Sequence, residues 1–529
     1  MQTPSPDYLL PPALASGLAD ALAEAGWPCR IELVTPVTVR LLDSFDWGAY
    51  GAGALIEERC EADACRLLWH DLKASAEPRE QVIAASLGLA LDLPAGPLRD
   101  LILPALGPRR LLPIVVFDIE PRVLRLLDEE DKTVVRLMLE TYRLQTPGRG
   151  LAPRLRLLPL KGYESQARDV AAWLTEVLGL EPAERPLLVD ALDQGERVPG
   201  DYSSKLDYRL DPAQRADSAA REIFLGLLDT LEANIPGTKA NLDSEFLHDL
   251  RVATRRIRAA LSQIPGVLPP PIVDQFKERF GWLQQITGPV RDLDVYLLDF
   301  DTYQAILPAP LRPDLEPLRG YVLAHYAEAQ GQLVRDLDSP AMETLLRDWR
   351  RALTEPLAAG DEPTNAARPV KALADQRIWR MVRRVRKEGR AIDADSPAED
   401  MHELRKSCKK LRYLMEFFQS LYPGSGVGKA VKVLRRLLDN LGDFQDLAIQ
   451  ADHLRDLAER MRAEGQGAGH LSTGTLLAMG ALVADLLRRQ ESARADFAET
   501  FAGFDSAEGR ALFRGLFHAG PNADQAESA

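Results

Sequence analysis

The sequence predicts two folds in series: an α+β domain built on an antiparallel sheet, then an all-α duplicated helical bundle, so that the 529-residue chain is mainly α. Three observations carry this. Short runs rich in Val, Ile and Leu, bounded by Gly, Pro and Asp, fill about the first 200 residues and then stop. From about residue 214, apolar residues recur at helical spacing between breakers such as Ile264-Pro265-Gly266 and Tyr422-Pro423-Gly424. The second half also repeats itself. HDLRVATRRIR (248–258) and HELRKSCKKLR (402–412) both fit H-x2-R-x3-[RK]-[RK]-x-R at a separation of 154 residues, and GPVRDLD from Gly288 and GDFQDLA from Gly442 share that separation.

In order, a helix over Leu14–Ala25 leads into the strand candidates RIELV, TVRLL, ALIEER, CRLLW, LLPIVVF, TVVRLMLE and PRLRLLPLKG, and a helix over Glu164–Leu180 follows. Turn chemistry marks 196–213 as a linker and 354–369 as a second one. The chain therefore divides into an α+β domain (1–195), a linker (196–213), a helical domain (214–515, with copies at about 214–353 and 368–515) and a small, polar, flexible tail (520–529).

The chain is 46% hydrophobic and 27% charged, which excludes a disordered chain. Its net charge of −14 argues against a general nucleic-acid or membrane coat but leaves room for one basic surface. No apolar run is long enough to span a bilayer. The start lacks a basic leader and carries Asp20 and Glu24, so a cytoplasmic location is expected. Four cysteines (Cys29, Cys60, Cys65, Cys408) make no disulfide framework, and Cys60 and Cys65 lack the second pair a zinc site needs.

The repeated motif has a direction. At about 100° per residue, His248, Arg251, Arg255 and Arg258 share an arc of about 80°, while Phe246, Leu250, Ala253, Ile257 and Leu261 fall opposite. His402, Arg405, Lys409 and Arg412 repeat the stripe, with Leu404, Leu411 and Met415 behind them and Cys408 at the edge. Like charges on successive turns repel, so such a row needs acidic neighbours or an anionic ligand. Guanidinium and ammonium donors along a helix suit a row of phosphates. The plainer reading is a solvated face paired with carboxylates. Asp292 and Asp446, at the repeat separation, are candidate partners or helix caps. The second copy is the more basic. Arg383 lies on its preceding helix, Lys432, Arg435 and Arg436 follow it, and residues 371–450 hold 17 basic against 11 acidic side chains.

HDLRVATRRIRAAL and HELRKSCKKLRYLMEFF, with the Tyr-Pro-Gly end, resemble the CHAD domain, a conserved-histidine α-helical module, over roughly 214–515. That resemblance implies two helical bundles related by a pseudo-twofold, whose basic helices face a groove or pore that binds inorganic polyphosphate, without catalysis. The implied binding residues are His248, Arg251, Arg255, Arg256 and Arg258 in the first motif, and His402, Arg405, Lys406, Lys409, Lys410 and Arg412 in the second. Residues 1–195 resemble a diverged CYTH domain, the triphosphate-tunnel fold, through RLLDSFDW, LLDEEDKTVVRLMLE and LRLLPLKGYESQARDVAAWLTEVLG. That family opens on Glu-x-Glu-x-Lys, whose carboxylates hold a divalent metal. No Glu-x-Glu occurs here. Lys132, Arg136, Arg154, Arg156 and Lys161 are left as tunnel-lining or merely surface charges.

No phosphate-binding loop, nucleophile elbow or paired Cys-x-x-Cys is present. His70, His325, His453, His470 and His518 have no repeated context and read as ordinary surface or core. The sequence thus points to a polyphosphate-binding protein associated with cytoplasmic polyphosphate granules, with no catalytic residue, metal or cofactor and no membrane partner. Self-association is left open. The first alternative is a metal-dependent inorganic triphosphatase; the second is nucleic-acid binding by the basic groove, disfavoured because Tyr413 alone interleaves an aromatic ring with the cations.

Overall fold

The computed structural model describes residues 7–61, 64–73, 77–84, 88–356, 362–464 and 472–518. The expected tail at 520–529 lies outside the described residues, as does His470. The chain divides into two compact units, Met1–Ser203 and Ser204–Ala529. No helix among the described residues is long and apolar enough to cross a membrane.

The first unit is an antiparallel sheet. Its strands are β1 (Asp7–Leu9), β2 (Cys29–Leu33), β3 (Val37–Asp43), β4 (Ala54–Glu61), β5 (Ala64–Asp71), β6 (Arg79–Ile83), β7 (Leu112–Leu127), β8 (Thr133–Leu144) and β9 (Arg154–Pro159). They run in the order β1-β9-β8-β7-β3-β4-β5-β6, with β2 pairing β7. The long β7–β8 hairpin turns through Asp128, whose carboxylate accepts from the backbone N–H groups of Glu130 and Lys132 at 2.9 Å, and through Asp131 at φ 62°. Period-two alternation sends Leu124, Leu126, Val135, Leu137, Leu155 and Leu157 to one face. There they meet Leu18 and Leu22 of α1 (Pro12–Glu24) and Val170 and Leu174 of α4 (Glu164–Glu176), while α2 (Gly48–Gly51) and α3 (Pro97–Leu106) pack in a separate core with Leu42, Ile56 and Leu67. The opposite face of β3 and β7 (Val39, Leu41, Val115, Phe117) is filled by Ala191 and Leu192 of α5 (Leu187–Leu192).

Every strand candidate from the sequence falls on an observed strand. The cysteine reading needs one correction. Cys60 and Cys65 face each other across β4 and β5 and form a disulfide, which register and not a cysteine framework brings about. Asp201 accepts from the Trp47 indole at 2.8 Å within the sheet unit, while Leu206 and Leu210 are buried in the helical unit's core.

The second unit consists of α6 (Ala216–Lys239), α7 (Ser244–Gln263), α8 (Pro270–Ile286), α9 (Gly288–Ile306), α10 (Glu316–Leu337), α11 (Pro340–Thr354), α12 (Val370–Arg390), α13 (Ala398–Phe417), α14 (Gly424–Glu464), α15 (Thr473–Ala495), α16 (Phe497–Phe504) and α17 (Ala507–Phe517). The duplication is visible in the helix starts: 216, 244 and 270 in the first copy become 370, 398 and 424 in the second, 154 residues on each time. The copies differ at one joint. The first copy breaks into α8 and α9 at Thr287, with Pro289 in the first turn of α9. The second runs through Gly442 as the single 41-residue α14. One core joins the copies through Leu250, Ile257, Phe280, Leu404, Leu411 and Leu437. Another gathers α9, α10, α15 and the second half of α14 around Tyr296, Phe300, Leu318, Leu454 and Leu482.

Candidate functional site: two basic helices and a buried lysine

Helix α7 starts on an aspartate cap. Asp243 accepts from the backbone N–H groups of Glu245 (2.9 Å) and Phe246 (3.3 Å). Its apolar side (Phe246, Leu250, Ala253, Ile257) is buried, as is that of α13 (Leu404, Cys408, Leu411, Met415), so each helix is held from behind. Cys408 sits fully in the core, where burial pushes its thiol up.

The cations then meet. Lys409 of α13 is half-buried and has its ammonium drawn down to about 8, first by burial, then by Arg405 and by Arg255 of α7, with Arg412 adding and Asp446 opposing. Arg255 belongs to the first copy and the other two to the second, so the stripes predicted separately share one electrostatic site.

The corresponding arginines are held differently. Arg251 donates to the Gln284 carbonyl (3.0 Å) and to the Thr287 hydroxyl (2.8 Å) at the joint between α8 and α9. Burial pulls its guanidinium down to about 10, opposed by Asp292 and reinforced by Arg255 and Arg291. Arg405 instead forks onto Asp446, at 2.9 and 3.0 Å. Asp446 lies inside α14 and is therefore a partner rather than a cap. Asp292 acts on Arg251 through space, while its own carboxyl is raised, chiefly by burial.

The remaining sequence-derived residues divide. Arg258 is exposed and His248 half-buried on α7. His402 meets the Gln445 side chain. Arg412 lies 3.2 Å from Glu416 and over the Tyr413 ring. Lys406 is an exposed side chain paired with Glu403 at 2.6 Å, and Lys410 is half-buried. Arg256 turns away from the stripe, donating to the Ser204 carbonyl at 2.8 Å and lying 3.5 Å from Glu416. Arg383 lines a separate hollow of α12 with Arg386, Lys387 and Arg390, where Asp505 holds Arg386 and Arg390. Lys432, Arg435 and Arg436 are exposed on α14.

Thr287, Gln284, Gln445 and Glu416 were not read from the sequence. Gln445 could have been found: it stands 154 residues after Arg291, beside the repeated Asp, but breaks the charge pattern. Among the described residues, one group has metal-ligand spacing, Glu399, His402 and Glu403 on the first turns of α13, with ligand atoms within 4.8 Å of one another. Lys406 already neutralises Glu403 there.

Two copies of one helical unit, sharing a core and converging on a common cationic site, define a duplicated α-helical module. Residues 222–455 match the CHAD domain, and the chain carries that domain. The chain is similar to the crystal structure of the CHAD domain from the plant Ricinus communis (23% identity over 57% of this chain and 95% of that one, TM-score 0.46). It is also similar to PptA from Streptomyces chartreusis (15% identity, 54% and 99% covered, TM-score 0.40). A third similar structure is a putative adenylyl cyclase from Hippeastrum described as having a dominant triphosphatase activity (12% identity, 38% and 98% covered, TM-score 0.23). No curated protein matches the chain.

Proposed function

We propose that the helical unit binds inorganic polyphosphate along the site formed by Arg255, Arg405, Lys409 and Arg412, with Arg251 at its first-copy edge, and that this binding directs the protein to polyphosphate granules in the cytoplasm. The observation that carries the reading is Lys409. Three guanidinium groups from two helices crowd one half-buried ammonium, with Asp446 the opposing charge. A site at rest does not gain from such crowding; a chain of phosphates removes the repulsion and accepts from every donor. Nucleic acid would need stacking surfaces that the site does not provide, and Tyr413 is itself buried.

The proposal stops at binding. In the sheet unit, the face of β3 and β7 that α5 covers is packed with Val39, Leu41, Val115 and Phe117. Arg154 and Arg156 are committed to Asp190 (2.7 Å) and Asp7 (2.6 Å).

The test is binding of labelled long-chain polyphosphate to the full chain at two salt concentrations, with RNA of matched charge as competitor. Saturable binding that weakens with salt and resists RNA supports the reading. Absence of binding at low salt, or displacement by RNA at equal charge, overturns it. For the granule claim, a fluorescently tagged chain should lose its foci when Arg405, Lys409 and Arg412 become Ala.

A further inference from the structure

Helix α12 carries a second group of cations, apart from the two-helix site. Arg383, Arg386, Lys387 and Arg390 line a hollow of about 530 Å³ with Ala391, within the size range of small-ligand sites. At helical spacing the four share an arc of about 100° along about 10 Å of helix. The hollow forms where α16 closes on α12. Gly389 permits that approach, since a Cβ there would overlap the Phe501 ring, and α16 ends on Asp505.

Asp505 faces more positive charge than it can neutralise. Its carboxylate accepts from Arg390 at 2.7 and 3.1 Å and lies 3.4 Å from Arg386 and 3.9 Å from Arg510. Arg383 and Lys387 are exposed and take part in no hydrogen bond or ion pair among the described residues. One side of the hollow is thus answered and the other is not.

Arg386 is an independent sign of a missing anion. It is 9% exposed and lies over the Trp379 and Phe513 rings, which fix its guanidinium in place. Its Nε and Nη2 are enclosed without a hydrogen-bond acceptor, and the Asp505 oxygen nearest to Nε is the one that already accepts from Arg390. Nη1 is the terminal nitrogen left open, on a residue that lines the hollow. Burial pulls this guanidinium down, opposed by Asp505 and reinforced by Arg390 and Arg510. A buried cation that shares one carboxylate with two other guanidinium groups is under-neutralised, and an anion in the hollow completes it.

The chemistry of the lining selects the ligand. A nucleobase needs a ring to stack on, and an acidic peptide needs apolar surface for its side chains; beside the cations this lining offers Ala391. Cations in line along a helix suit an anion whose charges are also in line and which has no apolar part.

We propose that the α12 hollow binds a short linear inorganic oligophosphate, with one phosphate at Arg386 Nη1 and its neighbours at Arg383, Lys387 and Arg390. The site is separate from the two-helix site and can hold or fail without it.

The test is isothermal titration of the full chain with sodium tripolyphosphate at two salt concentrations, in the Arg405→Ala/Lys409→Ala/Arg412→Ala background that empties the two-helix site. The expected result is saturable one-site binding that weakens with salt and is about tenfold or more tighter than that of orthophosphate, which reaches fewer cations. Adding Arg383→Gln and Lys387→Gln should cut the affinity about tenfold or more and leave the melting temperature unchanged, because neither side chain holds Asp505. Adding Arg347→Gln and Arg462→Gln instead, exposed cations of α11 and α14 with the same loss of charge, should leave affinity within about twofold. If the triple background fails to fold, the Arg383/Lys387 change in the otherwise intact chain should lower the number of tripolyphosphate ions bound by one. The proposal is overturned by the absence of saturable binding in the folded triple background, by orthophosphate binding as tightly, by equal losses in the two double changes, or by undiminished binding without Arg383 and Lys387. Binding of long-chain polyphosphate that survives in the intact chain while tripolyphosphate is lost from the triple background removes this site alone and leaves the two-helix reading standing.

Discussion

The two copies of the helical unit place an arginine at the same point of the same helix and use it differently. Arg251 is tied by a carbonyl and a hydroxyl, both neutral, at the joint where Thr287 separates α8 from α9. Arg405 faces an uninterrupted α14 and is balanced by the exposed carboxylate of Asp446. A neutral anchor with directional bonds fixes a guanidinium in place, whereas an exposed ion pair is worth little in water and is easily exchanged. The comparison teaches that the duplication has produced unequal halves: a first copy whose arginine is anchored by neutral groups and a second whose arginine is held by an exchangeable ion pair, which on the proposed reading a phosphate would replace.

The sharpest way to break that comparison is to empty each half in turn. Replacing Arg405, Lys409 and Arg412 with Ala should weaken polyphosphate binding by about 100-fold or more, since three charge-assisted contacts at more than 1 kcal/mol each are lost. The matching first-copy change, Arg251, Arg255 and Arg258 to Ala, should cost about tenfold in affinity, yet should lower the melting temperature more, because it strips the anchor at Thr287. Fluorescence titration and thermal melts on both variants decide it. Equal losses of affinity would show the halves to be equivalent.

Lys409 gives a second handle through pH. Its ammonium titrates near 8 in the free protein, pulled down by burial and the surrounding arginines. Bound phosphates would raise it again, so binding takes up a proton above about pH 8. Affinity should be flat below that value and fall as pH rises through it. The sign for folding is the reverse of a favourable pair: the folded chain binds fewer protons than the unfolded one between about 8 and 10.5, so this group's destabilising effect is present below pH 8 and relieved above it. Lys409→Met should therefore bind polyphosphate about tenfold more weakly below pH 8, lose the pH dependence near 8, and melt a few degrees higher. An unchanged pH profile in Lys409→Met would remove the lysine from the site.

Much of this was legible in the sequence, and the reasons are physical. Helical and strand periodicities are local, so the runs at Thr38–Leu42, Ala54–Arg59 and Thr133–Glu140 fall within strands β3, β4 and β8. The repeat fixed which cations share a face, because one face of each helix must be apolar to bury. What lay beyond reach was whatever depends on how helices meet. Arg256 differs from Arg255 by one residue, but that turn of the helix takes it to Ser204 and Glu416. Arg383 has the composition of the stripe but lies in a hollow of α12 with Arg386 and Arg390, which Asp505, more than 100 residues away, holds. Cys60 and Cys65 are paired by strand register, which spacing alone does not reveal. His325 and His453, isolated in sequence, line one cavity between α9, α10 and α14.

The smallest expected effects sharpen the comparison most, because they touch only the partners. Asp446→Asn keeps the size of the side chain and removes the charge that competes with phosphate for Arg405. It should tighten polyphosphate binding a few-fold and push the Lys409 titration lower still, since Asp446 is the opposing charge in its surroundings. Thr287→Val removes a fully buried hydroxyl that holds Arg251. It should cost about 1–2 kcal/mol of stability, as a buried hydrogen bond to a charged donor does, and leave affinity within about twofold. The pair of results is what matters: one variant changes binding and spares the fold, the other weakens the fold and spares binding. If Thr287→Val instead loosens binding as much as the first-copy triple change, Arg251 is held in place for the ligand's sake, and the first copy is a full partner in the site.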